Sequence, residues 1–280
     1  MCDACVIESV KDRMLNRRGL LRGAAATALA AGAASLLPSA FPLGAARAQE
    51  RGLGLGVVED LTHTLTEDFP TFFGQQQFFR EQKFAFAKDG FNLFELRVNE
   101  HTGTHLDAPL HFSADGQSVD AIPVANLVVP LCVVDIRARA EADADAELTP
   151  DDLKAWIAAH GEIPDRACVA LLSGWGAKVG TPGFRNADAE GKMHFPGFHV
   201  EAAQMLLETG AVGIASDTLS LDHGASPDFA THYAWLPANR WGLEAVANLD
   251  RLPAAGATLV VGAPKHQGGS GGPARVLALA

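Results

Sequence analysis

Short apolar runs rich in β-branched residues recur along the chain and predict buried strands. These runs occupy residues 128–136, 167–172, 211–215, 258–262 and 274–279. A looser alternation of apolar and polar residues predicts a first strand over 53–63. Clear alternation over 91–98 predicts another strand, which would deliver the chain into the histidine-rich segment that follows it.

Two segments carry helix signals instead. Thr149 is followed by a proline and two acidic residues, so a helix should begin there and run to about Ala159, with Gly161 past its end. Apolar residues at helical spacing over 200–208 predict a second helix, stopped by Gly210. Strands outnumber helices, and the helices interrupt them without a regular βαβ alternation. The pattern therefore predicts an α+β fold.

The first 48 residues differ in character from the rest. Arg17 and Arg18 precede an Ala/Leu-rich run, and an Ala-Arg-Ala site precedes Gln49. That order is typical of a cleaved export signal of the twin-arginine type. The run is mostly alanine and is broken by glycines and a proline, which argues against a membrane anchor. We expect residues 1–48 to be removed and 49–280 to form a single periplasmic domain free of the membrane.

Composition limits the kinds of partner. The chain has 280 residues, 48% of them hydrophobic and 20% charged, which is enough to bury a substantial core. Its 22 basic residues stand against 33 acidic ones, and removal of 1–48 would leave 16 against 30, a formal charge of −14. Nucleic-acid binding asks for a basic face. We therefore expect a small-molecule substrate and no nucleic acid.

Four cysteines fall into two pairs. Cys2 and Cys5 lie ahead of the export signal and would be lost with it. Cys132 and Cys168 lie inside apolar runs, which favours buried free thiols. A disulfide between those two is the alternative, although proteins exported in the folded state do not require one.

The candidate chemistry is concentrated in one segment, residues 101–112. Three histidines and an aspartate, ligand types that suit Zn²⁺, Mn²⁺ and Fe²⁺, fall within eleven positions: His101, His105, Asp107 and His111. Gly103 and Pro109 disfavour a continuous helix, so we predict a strand end that runs into a tight loop, with positive φ at Gly103. The helical metalloprotease motif is excluded because Thr102 occupies its glutamate position.

The order His-x-Gly-Thr-His-x-Asp-x-Pro-x-His resembles the signature of the cyclase family of metal-dependent hydrolases, which includes kynurenine formamidases and isatin hydrolases. The resemblance extends from about Val57 to the C-terminus. It implies a β-barrel-like core of mixed strands with helices packed outside. It also implies a homodimer.

The resemblance further implies a site for one or two divalent ions, zinc or manganese. Its ligands would be His101, His105, Asp107, His232 and Glu244. Asp107 would bridge the two ions, and His111 would be the general base and general acid. A loop histidine bonded to backbone is the alternative for His232. Asp217 either holds a ligand histidine by its outer nitrogen or caps a strand end, and the sequence leaves both open.

Two aromatic residues are candidates for substrate binding. Phe72 stands where the family commonly has a tryptophan, which keeps an aromatic wall but loses the indole N–H donor. Core packing is its alternative. Trp175, flanked by glycines after a strand, either lines a pocket or covers the core. The glycine-rich segment 264–273 contains no phosphate-binding motif, so we predict a plain flexible connection there.

The implied reaction is hydrolysis of a small amide, either an N-formyl aromatic amine or a cyclic amide, by metal-activated water. The alternative is an exported, non-catalytic metal- or solute-binding protein that uses the same ligands. An open coordination position beside His111 would support catalysis, whereas six protein ligands around the ion would support binding alone.

Overall fold

A computed structural model describes residues 56–280 of the chain. The expected export signal over 1–48 and the first cysteine pair lie outside these residues, as does the start of the strand predicted over 53–63. The contacts divide the described chain into a main unit, residues 56–81 and 95–280, and a second unit to which residues 82–94 belong. All the site residues discussed below lie in the main unit.

The described residues form thirteen strands and five α-helices. The strands are β1 (Val58–Asp60), β2 (Phe78–Phe84), β3 (Leu93–Val98), β4 (His105–Asp107), β5 (Val128–Asp135), β6 (Glu147–Leu148), β7 (Cys168–Leu172), β8 (Gly197–Phe198), β9 (Gly213–Ser216), β10 (Trp241–Glu244), β11 (Ala257–Gly262), β12 (Gly271–Pro273) and β13 (Arg275–Leu279). The helices are α1 (Phe86–Asp89), α2 (Arg137–Ala142), α3 (Pro150–His160), α4 (Val200–Leu207) and α5 (Ala230–Trp235). Short 3₁₀ turns occur between them, among them Pro109–His111 and Trp175–Lys178.

Nine strands form one mixed sheet in the order β1-β13-β11-β5-β7-β9-β10-β4-β12. Strands β5, β7, β9 and β10 run parallel, and the outer pairs are antiparallel. The sheet curls into a half-barrel, which confirms the α+β fold with a barrel-like core of mixed strands. The five strands predicted from apolar runs are present as β5, β7, β9, β11 and β13, each within two residues of its predicted ends.

Strand β7, in the middle of the parallel strands, is apolar along its whole length because both faces of the sheet are covered there. In β7, Ala170 and Leu172 pack into one core cluster, whereas Val169 and Leu171 pack into the other, beside the helices. Cys168 belongs to the first cluster and Cys132 of β5 to the second, so the two thiols point to opposite faces. Both are buried and free, as predicted.

Both predicted helices are confirmed, as α3 and α4. The Asp152 carboxylate accepts a hydrogen bond from the backbone N–H of Thr149 at 2.7 Å, which satisfies a donor at the helix start. Gly161 follows the last turn with φ of 94°. Within residues 56–280, no helix has the length and apolar content that crossing a bilayer demands.

Three segments differ from the predictions. The strand predicted over 91–98 exists as β3, but it pairs only with β2 in a separate two-stranded sheet, and all six of its residues are exposed. Although apolar and polar residues alternate along β3, both faces of the strand are exposed to solvent and neither faces the core. The segment around His232 is the helix α5, not a loop. The glycine-rich segment contributes β12, which pairs with β4, so the prediction of a plain flexible connection is wrong.

Candidate metal centre

Strands β4 and β10 assemble the centre of the cluster. His105 and Asp107 lie two residues apart on β4, so their side chains share one face. The antiparallel register places Glu244 of β10 directly opposite His105. His105 Nε2 lies 3.3 Å from Asp107 Oδ1 and 3.3 Å from Glu244 Oε2. Three ligand-type side chains therefore converge from two neighbouring strands.

Helix α5 adds His232 from a distant part of the chain. His232 Nε2 lies 3.1 Å from Glu244 Oε1 and 3.6 Å from Asp107 Oδ2. Its Nδ1 contacts the carboxylate of Asp222, which also accepts hydrogen bonds from the backbone N–H groups of Thr231 and His232 at the helix start. The alternative of a histidine bonded only to backbone is therefore wrong. Asp222 escaped the sequence analysis because its partner lies ten residues away.

His101 and His111 approach Asp107 from the other side. His101 lies in the loop before β4, where Gly103 has the predicted positive φ, 70°. His101 Nδ1 lies 2.7 Å from Asp107 Oδ1. The His111 ring stacks on that of His101, with centroids 3.8 Å apart. Donor atoms thus form two groups that share Asp107, one with His101 and His111, the other with His105 and Glu244.

Two buried side-chain atoms at the centre lack hydrogen-bond partners, and they indicate which kind of ligand the cluster can hold. His105 Nε2 and Asp107 Oδ2 are buried and have no hydrogen-bond partner. Buried polar atoms are almost always paired in folded proteins, so orphans of this kind call for a missing partner. Imidazole nitrogens and carboxylate oxygens are the donors that zinc and manganese accept. The residues present therefore fit a divalent cation shared around Asp107.

The electrostatics also favour a cation. Burial acts to lower the pKa of His105, but contacts with Asp107 and Glu244 outweigh it and raise that pKa to about 10. Burial acts to raise the pKa of Asp107, yet the surrounding histidines hold it well below its ordinary value. The two buried carboxylates therefore stay ionised beside a protonated His105, and a cation that took the place of that proton would meet both negative charges.

One side of the cluster opens into a cavity of about 480 Å³. Its wall is aromatic: Phe72, Phe73, Phe112 and Phe229 line it together with His111. Phe72 lies where the sequence analysis expected a substrate-facing ring, and it contacts the Phe229 ring at 5.7 Å between centroids. Cavities of this volume with apolar walls and a few polar groups hold small organic molecules.

Trp175 and Asp217 lie outside that cavity. Trp175 is 2% exposed, its indole N–H donates to the Phe184 carbonyl at 2.9 Å, and its ring packs in a separate buried cluster. Trp175 therefore packs in the core, and one edge of it lines a different pocket beside Arg137 and Lys178. Asp217 accepts hydrogen bonds from the backbone N–H groups of residues 173, 174 and 175, so it caps the turn after β7 and holds no ligand histidine.

The chain is similar to known proteins in both sequence and structure. The family model Cyclase matches residues 59–223. An isatin hydrolase from Roseibium aggregatum is 38% identical over 192 residues, 65% of this chain and 72% of that protein. A kynurenine formamidase from Salinibacter ruber is 28% identical over 186 residues, 66% of this chain and 79% of that protein. The structure of isatin hydrolase A from Ralstonia solanacearum superposes with a TM-score of 0.75 at 38% identity, covering 88% of this chain and 99% of that one.

Proposed function

Because this chain belongs to the cyclase family of metal-dependent hydrolases, we propose that it hydrolyses a small aromatic amide with the help of a divalent ion, zinc or manganese. The observation that carries the proposal is the shared cluster around Asp107, which opens on one side into an aromatic cavity. A cluster closed on all sides would suit binding alone. An open side gives a substrate carbonyl access to the ligand atoms.

The residues that would hold the ion are His101, His105, Asp107, His232 and Glu244. When bound, a divalent ion at this position polarises a carbonyl group and makes water a better nucleophile. The buried strands and helix α5 fix the side chains before substrate arrives, so little reorganisation is needed during the reaction. The phenylalanine walls favour a flat aromatic group.

We assign proton transfer to His111. Burial lowers its pKa to about 4, more than the nearby Asp107 carboxylate raises it, so the imidazole is neutral at pH 7. A neutral imidazole facing the cavity can accept a proton from the attacking water. It can then donate that proton to the nitrogen as the C–N bond breaks. Such transfer contributes roughly 10²- to 10⁴-fold to a rate.

Two observations favour a cyclic amide over an N-formyl amine. The relative at 38% identity is an isatin hydrolase, whereas the kynurenine formamidase is 28% identical. Phe72 also offers no N–H donor to a polar side chain such as that of kynurenine. Opening of a ring-fused aromatic amide needs only a flat apolar wall and the polar cluster.

The test is to measure metal content and turnover on the same preparation of residues 49–280. Manganese- or zinc-loaded protein should hydrolyse isatin, and chelator treatment should abolish this until the ion is restored. An N-formyl aromatic amine is the comparison substrate. Metal-loaded protein that hydrolyses neither compound would contradict the proposal.

We also propose that residues 1–48 direct export by the twin-arginine route. Replacement of both Arg17 and Arg18 by lysine should leave uncleaved precursor in the cytoplasm, because that route requires the arginine pair. Arg13→Lys with Arg22→Lys keeps the pair and is the matched control, which should be exported. Mature protein beginning near Gln49 from the Arg17/Arg18 variant would contradict the proposal.

A further inference from the structure

His101, His105 and His232 are each held by the ring nitrogen that faces away from the cluster, but in His101 the two ring nitrogens exchange places. His105 Nδ1 contacts the Gly103 carbonyl at 2.8 Å, and His232 Nδ1 contacts the Asp222 carboxylate. Both rings therefore direct Nε2 at the cluster. His101 is reversed: Nδ1 faces Asp107 at 2.7 Å, while Nε2 points outward.

The outward nitrogen of His101 meets a hydroxyl group. His101 Nε2 lies 3.0 Å from Ser270 Oγ, and Ser270 Oγ lies 2.6 Å from Glu100 Oε2. An ionised carboxylate can only accept hydrogen bonds, so Ser270 donates its single proton to Glu100. The Ser270 oxygen must then accept from His101, which places the His101 proton on Nε2. Because its proton is committed to Glu100, this serine is not activated by His101 as a nucleophile.

We propose that Glu100, acting through Ser270, is a positioning residue that fixes the tautomer of His101 and directs its Nδ1 lone pair at the metal ion. The proposal rests on the metal site of the proposed function. Its chemistry is that of a carboxylate that orients a ligand histidine, here with a serine between the two. With the proton on Nε2, His101 Nδ1 and the Asp107 oxygen are two acceptors 2.7 Å apart, an arrangement that a shared cation satisfies.

The glycine-rich segment is built to hold this serine in place. Gly271 pairs with Asp107 across β12 and β4. A Cβ atom on Gly271 would lie 2.4 Å from the Leu106 carbonyl oxygen and 2.7 Å from His101 Cε1, so only glycine allows this approach. Glu100 is fixed in turn by the Ser270 backbone N–H at 3.2 Å and by His266 Nε2. The carboxylate therefore has little freedom to turn away.

Metal affinity of the mature protein tests the proposal directly. Ser270→Ala and Glu100→Gln should each weaken Mn²⁺ and Zn²⁺ binding by about 10- to 100-fold in competition with a chelating dye. A glutamine can donate its NH₂ to Ser270, which frees the serine proton and releases the tautomer. Ser270→Thr keeps the hydroxyl and should rescue binding to within about threefold of wild type. The visible spectrum of bound Co²⁺ should shift in the first two variants and not in Ser270→Thr.

Ser118→Ala is the matched control. Ser118 Oγ also donates to a carboxylate, Asp120, which accepts the Gly268 backbone N–H of the same segment, but neither of these hydrogen bonds involves a histidine. Its removal should leave metal affinity unchanged. Wild-type affinity and Co²⁺ spectrum in Ser270→Ala would overturn the proposal, as would equal weakening in Ser118→Ala. Neither the metal affinity nor the Co²⁺ spectrum requires a substrate, so both can be interpreted even if the proposed reaction is wrong.

Discussion

Two segments meet at His101, and they contribute to the site in different ways. Residues 101–111 supply the side chains to which we assign metal binding and proton transfer. Residues 264–273 supply mainly backbone, through glycines that approach closely, and one hydroxyl group, that of Ser270. The first segment is recognisable because its chemistry lies in residue types at fixed spacing. The second segment is not recognisable from the sequence, because Ser270 contributes through its contact with His101, which lies 169 residues earlier in the chain.

The difference between the two segments shows that a metal site needs two kinds of group: side chains that bind the ion, and neighbours that orient those side chains. Ligands must be of a few residue types. Groups that orient them can be a backbone carbonyl, a carboxylate or a hydroxyl, and this cluster uses all three.

Asp107→Ala should have the largest effect, because Asp107 is shared by both groups of donor atoms. Metal retention and hydrolysis should both be lost, since the remaining histidines cannot replace a charged ligand. Metal analysis and turnover on one preparation check this. Full metal occupancy in the variant would show that Asp107 is not a ligand.

His111→Ala should retain the ion yet lose activity by roughly 10²-fold or more, the size of a general acid–base contribution. The same donor group contains His101 and His111, so the variant separates a ligand from a proton carrier. If metal is depleted along with activity, His111 is a ligand and the base must be sought elsewhere.

Gly271→Ala tests the backbone layer and should weaken metal binding by roughly 10-fold, because a methyl group there displaces the His101 ring. Overpacking should also destabilise the fold by about 1–3 kcal/mol. Gly262→Ala is the control, since a Cβ there has only an ordinary contact, 3.4 Å from the Arg275 carbonyl. Equal losses in metal affinity for both variants would remove the special role of Gly271.

The pH dependence of stability should give the smallest effect. In chelator-treated protein, burial lowers the pKa of His105, but Asp107 and Glu244 raise it to about 10. That histidine therefore contributes stability below pH 6.5, and the contribution is lost as pH rises toward 10. An ion binds the neutral ring, so its affinity rises with pH. The Tm difference between manganese-loaded and chelator-treated protein should widen by several degrees from pH 6 to 8.5, measured by calorimetry. A constant or shrinking difference would contradict this.

Much of the fold followed from local pattern. The apolar runs became β5, β7, β9, β11 and β13. Strand β7 is apolar throughout because both of its faces are buried. Helix α3 begins at its predicted cap because Thr149 and Asp152 satisfy each other locally. Strand β3 was located correctly, but its alternation said nothing about which sheet it joins. Helix α5 was missed, since its six residues are too few to show a period.

The sequence by itself determined the ligand types, the spacing of the 101–111 segment and the apolar strands that carry it. These are local properties of neighbouring residues. The tertiary structure alone decided that Glu244 lies opposite His105, that Asp222 holds His232 and that Ser270 reaches His101. It also placed Trp175 in the core, outside the cavity beside the metal cluster. Such pairings depend on strand register and on close approach of distant backbone, and no local pattern encodes either.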